Sequence, residues 1–439
     1  MSKRLTAVVL AGGTGTRFWP FATSKTLFPF FGKTLFDFSV LSSLPSEVDN
    51  VVIISNNENK AATSALKLPK PTVTVLQSQP LGMADAILSA SSELVDCRLL
   101  VIIADDVSHP SLLGDVLAVA KSKKGAFAVL PGWKTPRYFP GGYLRVDGNR
   151  VMGIVEKPEP QSTPSPYVSI SGHYIADSNL LLRELKRAKP QTDDAYEQSL
   201  TMLAIAQKVY FTPYDGEFSS LKYPWNVLDT LSVLFGTHLT ARKGKNVEIR
   251  SHVVMEGPIA LGDNVKIFEN TKIVGPCFIG DNTIIGGNNI IRQSHIGANC
   301  VTGFNTDITR SYVGDNCWFH SNYIGDSVLE GNNTMGSGAV LANLRLDDGE
   351  ISSMVKNVKT KTGRNKLGAM MAAGVRIGVN ASIMPGIKIG AGTFVGSGVA
   401  LDSDIPEKSF AAAAKNSFTV TPNAPLGESA SRDEFKKHL

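Results

Sequence analysis

A short motif recurs through the second half of the chain and restricts the possible folds more than any other feature of the sequence. Each copy consists of an aliphatic residue, a glycine and two variable residues. In four copies the aliphatic residue is Leu261, Ile279, Ile296 or Val313, at intervals of 18, 17 and 17 residues. Three units of about six residues make one coil of a triangular parallel β-solenoid, with the aliphatic side chain inside. We place the glycine at a tight corner, where positive φ is easiest for glycine or asparagine.

Further copies begin at Ile324, Ile377, Ile389 and Val395, so the pattern continues almost to residue 405. A glycine-rich disordered tail is excluded, because the aliphatic positions recur in phase. Residues 344–368 interrupt the rhythm and predict a basic loop that leaves the coil. Such a run is either a solvated face or a phosphate contact. Its cations are Lys356, Lys359, Lys361, Arg364 and Lys366.

The first half of the chain has a different pattern, in which short β-rich runs alternate with stretches typical of helices. The helical stretches include Ala84–Leu94 and Leu112–Ser122. This alternation predicts a mostly parallel α/β sheet, with ligands bound at the carboxyl ends of its strands. The predicted strands are Leu5–Leu10, Val51–Ser55, Val73–Leu76, Leu99–Ala104 and Ala126–Leu130.

Length and composition agree with this division. At roughly 150 residues per domain, 439 residues suggest two or three domains. We predict an α/β domain over residues 1–240, a solenoid over 241–405 and a tail over 406–439. Hydrophobic residues make up 43% and charged residues 19%, which excludes a largely disordered chain. The net charge of +5 does not require nucleic acid as a partner.

No apolar run approaches the roughly 18 residues that span a bilayer, so we expect no membrane association. The four cysteines show no CxxC spacing, which argues against a zinc site and against a disulfide framework. A reducing cytoplasm is therefore the expected location.

The first predicted strand leads into a glycine-rich loop. Gly12, Gly13 and Gly15 let the backbone approach a phosphate chain, and exposed N–H groups in such a loop bind anions. Arg17 and Lys25 follow, and both can neutralise charge on a transferring phosphoryl group. No Gly-Lys-Ser/Thr follows, and the glycine spacing is not GxGxxG, so neither common nucleotide motif applies.

The stretch from residue 8 to residue 29 resembles the signature of the sugar-1-phosphate nucleotidylyltransferases, or nucleotide-sugar pyrophosphorylases. The resemblance implies a Rossmann-like nucleotidyltransferase domain. In it, Leu10, Ala11 and the three glycines of the loop would bind the nucleotide, and Arg17 and Lys25 would be catalytic.

Two further segments continue the resemblance. In the segment that begins at Gln77, the family reads uracil or thymine with a glutamine side chain and a glycine backbone, here Gly82. An amide donates and accepts at once, which suits the imide edge of a pyrimidine, although an ordinary surface amide is the alternative reading of Gln77. Asp105 follows a predicted buried strand where the family places an aspartate that binds Mg²⁺, with Asp106 as the alternative.

The sugar side of the implied site consists of four residues. Glu156 would bind sugar hydroxyls and Lys157 the sugar phosphate, while Gly142 and Gly172 would let the backbone pack against the sugar. The implied reaction is an in-line attack by the sugar-1-phosphate on the α-phosphate of a nucleoside triphosphate, with pyrophosphate leaving. It needs no nucleophilic side chain.

Two positions depart from the family pattern. Ser220 stands where archaeal-type bifunctional members carry a second metal-binding aspartate, and Ile170 stands where an asparagine is common. Asp215, Glu217 and Asn226 are the candidates to replace the missing carboxylate.

A second candidate site lies in the solenoid. His320 and Tyr323 fall in a segment that resembles the acetyl-transfer site of bifunctional glucosamine-1-phosphate acetyltransferase/uridyltransferases, and Asn343 follows twenty residues after Tyr323. There the histidine is the general base toward acetyl-CoA. The alternative is a hydrogen-bonded solenoid histidine. Arg292 and Arg310 are 18 residues apart, so we expect them to stack on neighbouring coils and to clamp a sugar phosphate, or to form a solvated face.

The resemblance implies a transferase that makes a UDP- or dTDP-sugar from UTP or dTTP and a sugar-1-phosphate, with Mg²⁺ as cofactor. Acetyl-CoA is the expected co-substrate of the second site. The resemblance implies a left-handed parallel β-helix of hexapeptide repeats that assembles as a homotrimer. Two alternatives stay open: a nucleotidylyltransferase with a purely structural β-helix, and a non-catalytic regulatory subunit of a pyrophosphorylase.

Overall fold

The computed structural model describes residues 3–188 and 194–413. The first half of the chain forms a large sheet covered by helices. Its helices are α1 (Leu35–Ser39), α2 (Lys60–Ser64), α3 (Met83–Ser89), α4 (Leu112–Ser122), α5 (Ser178–Arg187), α6 (Ala195–Ala206) and α7 (Asn226–Thr237). Its strands are β1 (Leu5–Leu10), β2 (Pro29–Phe30), β3 (Lys33–Thr34), β4 (Asn50–Ser55), β5 (Thr72–Leu76), β6 (Arg98–Ile103), β7 (Asp106–Val107), β8 (Ala128–Lys134), β9 (Gly142–Asp147), β10 (Arg150–Glu156), β11 (Tyr167–Ser169), β12 (His173–Ile175), β13 (Val209–Tyr214) and β14 (Ser219–Ser220).

The large sheet has ten strands in the order β11-β9-β10-β13-β8-β12-β6-β1-β4-β5. β5, β4, β1 and β6 are parallel to one another, as predicted, and β1 is buried along its whole length because helices cover both faces. β12 runs antiparallel to β6, and β9 and β10 form an antiparallel pair, so the sheet is mixed rather than mostly parallel. Helix α4 has the predicted bounds, whereas α3 ends at Ser89, because the polar residues after it form turns.

The second half is a solenoid of short strands. They are β15 (Arg242–Lys243), β16 (Glu248–Ile249), β17 (Val254–Glu256), β18 (Ile259–Leu261), β19 (Lys266–Ile267), β20 (Lys272–Val274), β21 (Cys277–Ile279), β22 (Ile284–Ile285), β23 (Ile290–Arg292), β24 (His295–Ile296), β25 (Val301–Thr302), β26 (Asp307–Thr309), β27 (Tyr312–Val313), β28 (Trp318–Phe319), β29 (Tyr323–Gly325), β30 (Val328–Leu329), β31 (Thr334–Met335), β32 (Val340–Leu341), β33 (Ile351–Val355), β34 (Val358–Arg364), β35 (Met370–Met371), β36 (Arg376–Ile377), β37 (Ser382–Ile383), β38 (Lys388–Ile389), β39 (Phe394–Val395), β40 (Ala400–Leu401) and β41 (Phe410–Ala411).

Successive strands fall in turn into three sheets, so each full coil contributes one strand to each sheet. The first sheet has the order β15-β18-β21-β24-β27-β30-β35-β38, and the other two follow the same rule from β16 and β17. All pairings in the three sheets are parallel, and the repeated aliphatic residues fill one continuous interior. The predicted architecture is therefore confirmed: a helix-covered, Rossmann-like α/β sheet domain is followed by a parallel β-helix of short repeats.

The corners of the β-helix differ from the prediction. Positive φ angles occur not at the repeated glycines but two residues later, at Asn264, Asn282 and Asn299, whose φ lies between 56° and 58°. Asparagine tolerates this left-handed conformation. The glycines serve a different purpose: a Cβ at Gly280 would lie 2.6 Å from the backbone nitrogen of Ala298 on the next coil. Glycine is thus required by the close approach of successive coils.

The interruption after residue 344 also differs from a simple loop. β33 and β34 form an antiparallel hairpin between two coils. Its Arg364 forms an ion pair with Asp229 of α7, and the Gly363 carbonyl accepts a hydrogen bond from Arg137 (3.2 Å). The hairpin is therefore anchored on the α/β domain.

The two halves share a hydrophobic cluster. The outward face of the first β-helix sheet packs on the α/β domain, with Tyr312 and His295 stacked at 4.6 Å between ring centroids. The Tyr312 hydroxyl donates to the Pro29 carbonyl (2.7 Å), and Nε2 of His295 accepts from the Phe31 N–H (3.1 Å). These contacts hold the segment after the glycine-rich loop against the β-helix.

The boundary between the two domains lies between α7 and β15. α7 ends at Thr237 and β15 begins at Arg242, on either side of the proposed division after residue 240. At the far end, β41 pairs in parallel with β39, so the β-helix continues beyond residue 405, where we expected a tail to begin. The coil persists because Ala411 packs against the interior cluster. The remainder of the predicted tail, from residue 414, lies outside the described residues. Across the described ranges, no helix is both long and apolar enough to cross a membrane.

Candidate functional site

A cavity of about 300 Å³ opens at the carboxyl ends of β1 and β6. It brings together predicted residues that are up to 95 positions apart in the sequence. The lining also includes Lys222, which the sequence analysis did not select. The predicted residues that line the cavity are Leu10, Gly12, Gly13, Gly15, Arg17, Lys25, Gln77, Gly82 and Asp105.

The glycine-rich loop is held from behind by two asparagines. Nδ2 of Asn56 donates to the Gly13 carbonyl (3.0 Å), and Nδ2 of Asn59 donates to the Ala11 carbonyl (2.8 Å). Gly15 has φ +64°, a conformation that a side chain would strain. Ala11 lines a neighbouring cavity of about 330 Å³ on the side of these asparagines. Both asparagines escaped the sequence analysis because amides in a loop carry no spacing signal.

Gln77 is buried against the glycine-rich loop rather than exposed as a surface amide. Its Nε2 donates to the Gly82 carbonyl (3.1 Å) and to Asp85 (2.8 Å). Its Oε1 would be 2.4 Å from a Cβ at Gly12, so only glycine leaves room for it there. The amide nitrogen is therefore already engaged, and the amide oxygen faces the loop.

Asp105 follows β6 and forms an ion pair with Lys25. Asp106 beside it is buried and lies opposite Ser220 in the β7–β14 pair. Burial, and next the Asp105 carboxylate, raise the pKa of Asp106 to about 6, while the Ser220 hydroxyl and Lys222 oppose this rise. Asp105 is therefore the carboxylate that reaches the cavity.

The donor set can be tested against Mg²⁺. Within the described ranges, no group of three His, Cys, Asp or Glu side chains is placed to hold a metal ion. Mg²⁺ is usually bound by one or two carboxylates together with substrate phosphates. Asp105 therefore fits an ion that arrives with the triphosphate, and does not by itself form a protein cage.

The predicted sugar-side residues lie outside the lining of the nucleotide cavity. Gly142 is paired with Glu156 across β9 and β10, and a Cβ at Gly142 would lie 3.2 Å from the Glu156 carboxylate. Lys157 forms an ion pair with Glu156 (2.7 Å). Gly172 has φ +110°, and a Cβ there would meet Leu113 at 2.5 Å, so this glycine is required by core packing.

In the β-helix, Tyr323 and Asn343 meet on neighbouring coils. The Tyr323 hydroxyl donates to Oδ1 of Asn343 (3.3 Å), and Nδ2 of Asn343 donates to Asp326 (2.5 Å). His320 lies at the preceding corner, with its ring 6.3 Å from that of Trp318. In the described part of the chain, no hydrogen bond joins the His320 ring to Tyr323 or Asn343.

The expected stacking of Arg292 and Arg310 is wrong. Residues in register on these two coils are 17 positions apart, whereas the two arginines are 18 apart, so Arg292 lies beside Thr309 and not beside Arg310. Each arginine pairs with its own carboxylate: Arg292 with Asp307 (2.9 Å) and Arg310 with Asp326 (2.7 Å). The Asp326 partner raises the pKa of Arg310.

Asp326 is the residue that the sequence analysis missed in this half. It accepts hydrogen bonds from both Arg310 and Asn343 and is itself buried. It lies in a repeat of the form Ile-Gly-Asp-Ser that resembles the other corners, so the sequence pattern does not distinguish its carboxylate from theirs. The carboxylate holds the Asn343 side chain toward Tyr323.

Comparisons with known proteins agree with this organisation. Residues 6–217 match the nucleotidyl transferase family model. Bifunctional protein GlmU of Methanococcus maripaludis strain C5 is 28% identical over 413 residues, covering 92% of this chain and 96% of that relative. The bifunctional sugar-1-phosphate nucleotidylyltransferase/acetyltransferase of Sulfurisphaera tokodaii is 26% identical over 412 residues, covering 91% and 98%.

Among solved structures, the UDP-glucose pyrophosphorylase from Acinetobacter baumanii aligns with a TM-score of 0.46 and 18% identity, covering 54% of this chain and 94% of that one. The family match covers only the first half of the chain, whereas the similarity to the two bifunctional relatives extends over both halves. Residues 6–217 thus match the nucleotidyl transferase family model, within a chain that is similar over nine-tenths of its length to archaeal bifunctional proteins.

Proposed function

We propose that the protein transfers a nucleotidyl group from UTP or dTTP to a sugar-1-phosphate, which yields a UDP- or dTDP-sugar and pyrophosphate. The observation that carries the proposal is the single cavity in which the glycine-rich loop, Gln77, Arg17, Lys25 and Asp105 meet. The family match of residues 6–217 and the activities named for the bifunctional relatives support it.

In this reaction a phosphate oxygen of the sugar-1-phosphate attacks the α-phosphorus of the nucleotide. The bond from that phosphorus to the oxygen bridging to the β-phosphate breaks, and pyrophosphate leaves with the bonding electrons. The glycine-rich loop positions the triphosphate through backbone N–H groups, and Arg17 and Lys25 neutralise its charge. Mg²⁺, when bound, supplies further charge neutralisation on the phosphate oxygens, with Asp105 as the residue that would hold it.

Base selection falls to Gln77. Because its Nε2 already donates to Gly82 and Asp85, its Oε1 is the atom left to accept the imide N–H of uracil or thymine. This arrangement favours pyrimidines that carry an N–H at that edge. The two bases differ by one methyl group, so the proposal includes both UTP and dTTP as substrates.

The test is pyrophosphate release over a grid of nucleoside triphosphates and sugar-1-phosphates, with Mg²⁺ present. Asp105→Asn is the control, and we expect it to lower the rate by at least about 100-fold, the usual effect of losing one charge-stabilising group. The same grid identifies the base and the sugar. Absence of release across the whole grid, from folded protein, would contradict the proposal and favour the regulatory alternative.

For the β-helix we propose acetyl transfer from acetyl-CoA to the amine of an amino-sugar-1-phosphate. The amine nitrogen attacks the thioester carbonyl, a C–N bond forms and the C–S bond breaks. His320 accepts the proton that the amine loses, and the coenzyme A thiolate takes up a proton as it leaves. The hydrogen-bonded set of Tyr323, Asn343 and Asp326 beside the His320 corner supports this assignment.

The second activity is tested by release of free coenzyme A from acetyl-CoA with glucosamine 1-phosphate and related amino-sugar phosphates. We expect release that depends on His320. If no free coenzyme A appears with any of these substrates, the β-helix is structural and the purely structural alternative holds.

We also propose a homotrimer that associates through the β-helix. The first sheet is covered by the α/β domain, whereas the second presents Ile284, Val301 and Trp318 as neighbours in register. Trp318 is 49% exposed, which is unusual for so large an apolar side chain. Light scattering at micromolar concentration measures the mass, and a monomer would contradict the trimer.

A further inference from the structure

The nucleotide cavity contains more positive than negative charge. Its charged lining residues are Arg17, Lys25, Lys222 and Asp105. Lys25 forms an ion pair with Asp105, so Arg17 and Lys222 have no carboxylate in the lining to balance them. Ser220, across the β7–β14 pair from Asp106, adds a hydroxyl and no charge. A lining of this kind favours a ligand that carries several negative charges.

Lys222 is the less expected of the two unbalanced cations. Its Nζ lies 4.7 Å from the centroid of the Phe139 ring and 3.5 Å from the Pro140 carbonyl oxygen. In the described part of the chain, no carboxylate lies within ion-pair distance of Nζ. Burial lowers the pKa of this lysine. The Asp106 and Asp105 carboxylates oppose this shift, but neither forms an ion pair with Nζ. A desolvated ammonium group without a direct ion-pair partner is costly, and an anion bound at Nζ would reduce that cost.

The position of Lys222 connects the two parts of the proposed site. Its backbone is held at the cavity, because the N–H of the preceding residue, Leu221, donates to the Asp105 carbonyl (2.9 Å). Its side chain reaches the segment that leads to the sugar-side residues, where the Gly141 carbonyl accepts from the Lys157 N–H (3.0 Å). Burial lowers the pKa of Lys222 most, Asp106 and Asp105 raise it, and the Arg17 and Lys157 charges lower it further. Lys222 thus lies between the triphosphate cavity and Lys157.

We propose that Lys222 binds the phosphate of the sugar-1-phosphate as it attacks, and so acts as a catalytic residue. The inference rests on the proposed nucleotidyl transfer and names a second group, in addition to Lys157, that holds the attacking phosphate. Two like-charged phosphates must approach each other in this reaction, and a second carboxylate that could bring a further metal ion is absent from the lining. The Lys222 ammonium supplies positive charge directly at the point of approach.

The test compares Lys222→Met, which keeps the length and apolar body of the side chain, with Lys222→Arg, which keeps the charge. Lys208→Met is the matched control. Lys208 is exposed and precedes the amino end of β13, whereas the cavity lies at the carboxyl ends of β1 and β6. We expect Lys222→Met to raise the KM for the sugar-1-phosphate by about 10- to 100-fold, the effect of losing one charge-assisted hydrogen bond. The KM for the nucleotide should change less than about threefold, and Lys222→Arg should recover part of the loss.

Equal increases in both KM values would overturn the proposal, because Lys222 would then serve the triphosphate. Wild-type behaviour of Lys222→Met would also overturn it and leave the lysine as a packing partner of Phe139. A lowered Tm with unchanged KM values has the same meaning.

A binding measurement separates this inference from the proposed function. Calorimetric titration with glucose 1-phosphate, glucosamine 1-phosphate and N-acetylglucosamine 1-phosphate requires no turnover. If pyrophosphate release fails but one of these sugars binds the wild type at least 10-fold more tightly than Lys222→Met, the inference stands without the reaction. If none of them binds the wild-type protein, the inference fails.

Discussion

The two candidate sites are built in different ways. In the α/β domain the cavity residues come from four separate segments, around residues 12–25, 77–82, 105 and 222, which the sheet order brings together. In the β-helix the partners lie one coil apart, as Tyr323 and Asn343 do, because the repeat stacks segments that are close in sequence. The first site depends on topology and the second on local spacing.

The difference decides what a single residue can disturb. Each repeat unit contacts its neighbours along the solenoid, so a wrong prediction there is an error in the length of a coil. The coil after Arg292 has 17 residues, which places Thr309 and not Arg310 beside it. In the sheet, neighbours in space are distant in sequence, so a residue such as Lys222 gives no sign of its role until the fold is known.

The largest expected effect separates the two sites. His320→Ala should lower coenzyme A release by about 10²- to 10⁴-fold, the range for removal of a general base, and leave pyrophosphate release unchanged. Asp105→Asn should do the reverse. Both rates are measured on the same preparation. Loss of both activities in either single variant would show that the sites are not independent.

A core substitution in each half compares their cooperativity. Ile308→Ala in the β-helix and Ile53→Ala in the sheet remove fully buried side chains, and each should cost about 2–5 kcal/mol of unfolding free energy. The variants should differ in where hydrogen exchange accelerates. Ile308→Ala should first affect the neighbouring coils that contain Ile291 and Ile324, whereas Ile53→Ala should affect the whole sheet. Uniform acceleration in both variants would contradict the comparison.

The contact between the halves should respond to acid. Burial lowers the pKa of His295 to about 4 from 6.5, so the unfolded chain binds more protons between these values. Stability from this group is therefore complete above pH 6.5 and lost as the pH falls toward 4, by about 3 kcal/mol in total.

His295→Phe keeps an aromatic ring in the stack and cannot be protonated, so denaturant unfolding should depend less on pH in this variant. His252→Asn is the control, because His252 is exposed at a corner with φ +59°, which asparagine tolerates. A pH dependence in His295→Phe equal to that of the wild type would refute the assignment. His173, also buried with its pKa lowered to about 4, adds a similar acid response within the α/β domain.

The smallest effect concerns the corners of the β-helix. Nδ2 of Asn282 donates to Asn299 (3.2 Å) and its Oδ1 accepts from Asn264 (2.9 Å), while its φ is +57°. Asn282→Ala should cost about 1–2 kcal/mol through lost hydrogen bonds and backbone strain. Asn282→Gly removes the amide without straining the backbone, so we expect a smaller loss of unfolding free energy than in Asn282→Ala. Measured by denaturant unfolding, that smaller loss gives the contribution of the hydrogen bonds alone. Equal losses would assign the whole effect to the hydrogen bonds.

Much of this molecule was predictable because its signals are local. Periodic aliphatic residues predicted the β-helix, and the strand Leu5–Leu10 with its glycine-rich loop predicted the phosphate side of the cavity. Sequence reasoning failed where the deciding contact lies at long range. The positive φ angles at the corners belong to asparagines, whereas the glycines are required by the close approach of the next coil. Asn56, Asn59 and Asp326 were missed because their hydrogen-bond partners lie on other elements.

The sequence by itself determined the two fold types and most of the residues that meet at the ends of β1 and β6. Periodicity is a property of neighbouring residues, and the cavity residues lie in short motifs that carry the family resemblance. Only the tertiary structure decided how the halves join and which charges remain unbalanced. The β33–β34 hairpin docks through Arg364 on Asp229, and Lys222 faces the cavity without a carboxylate at ion-pair distance among the described residues. Such contacts join residues far apart in the chain, and only the path of the backbone between them sets their distance.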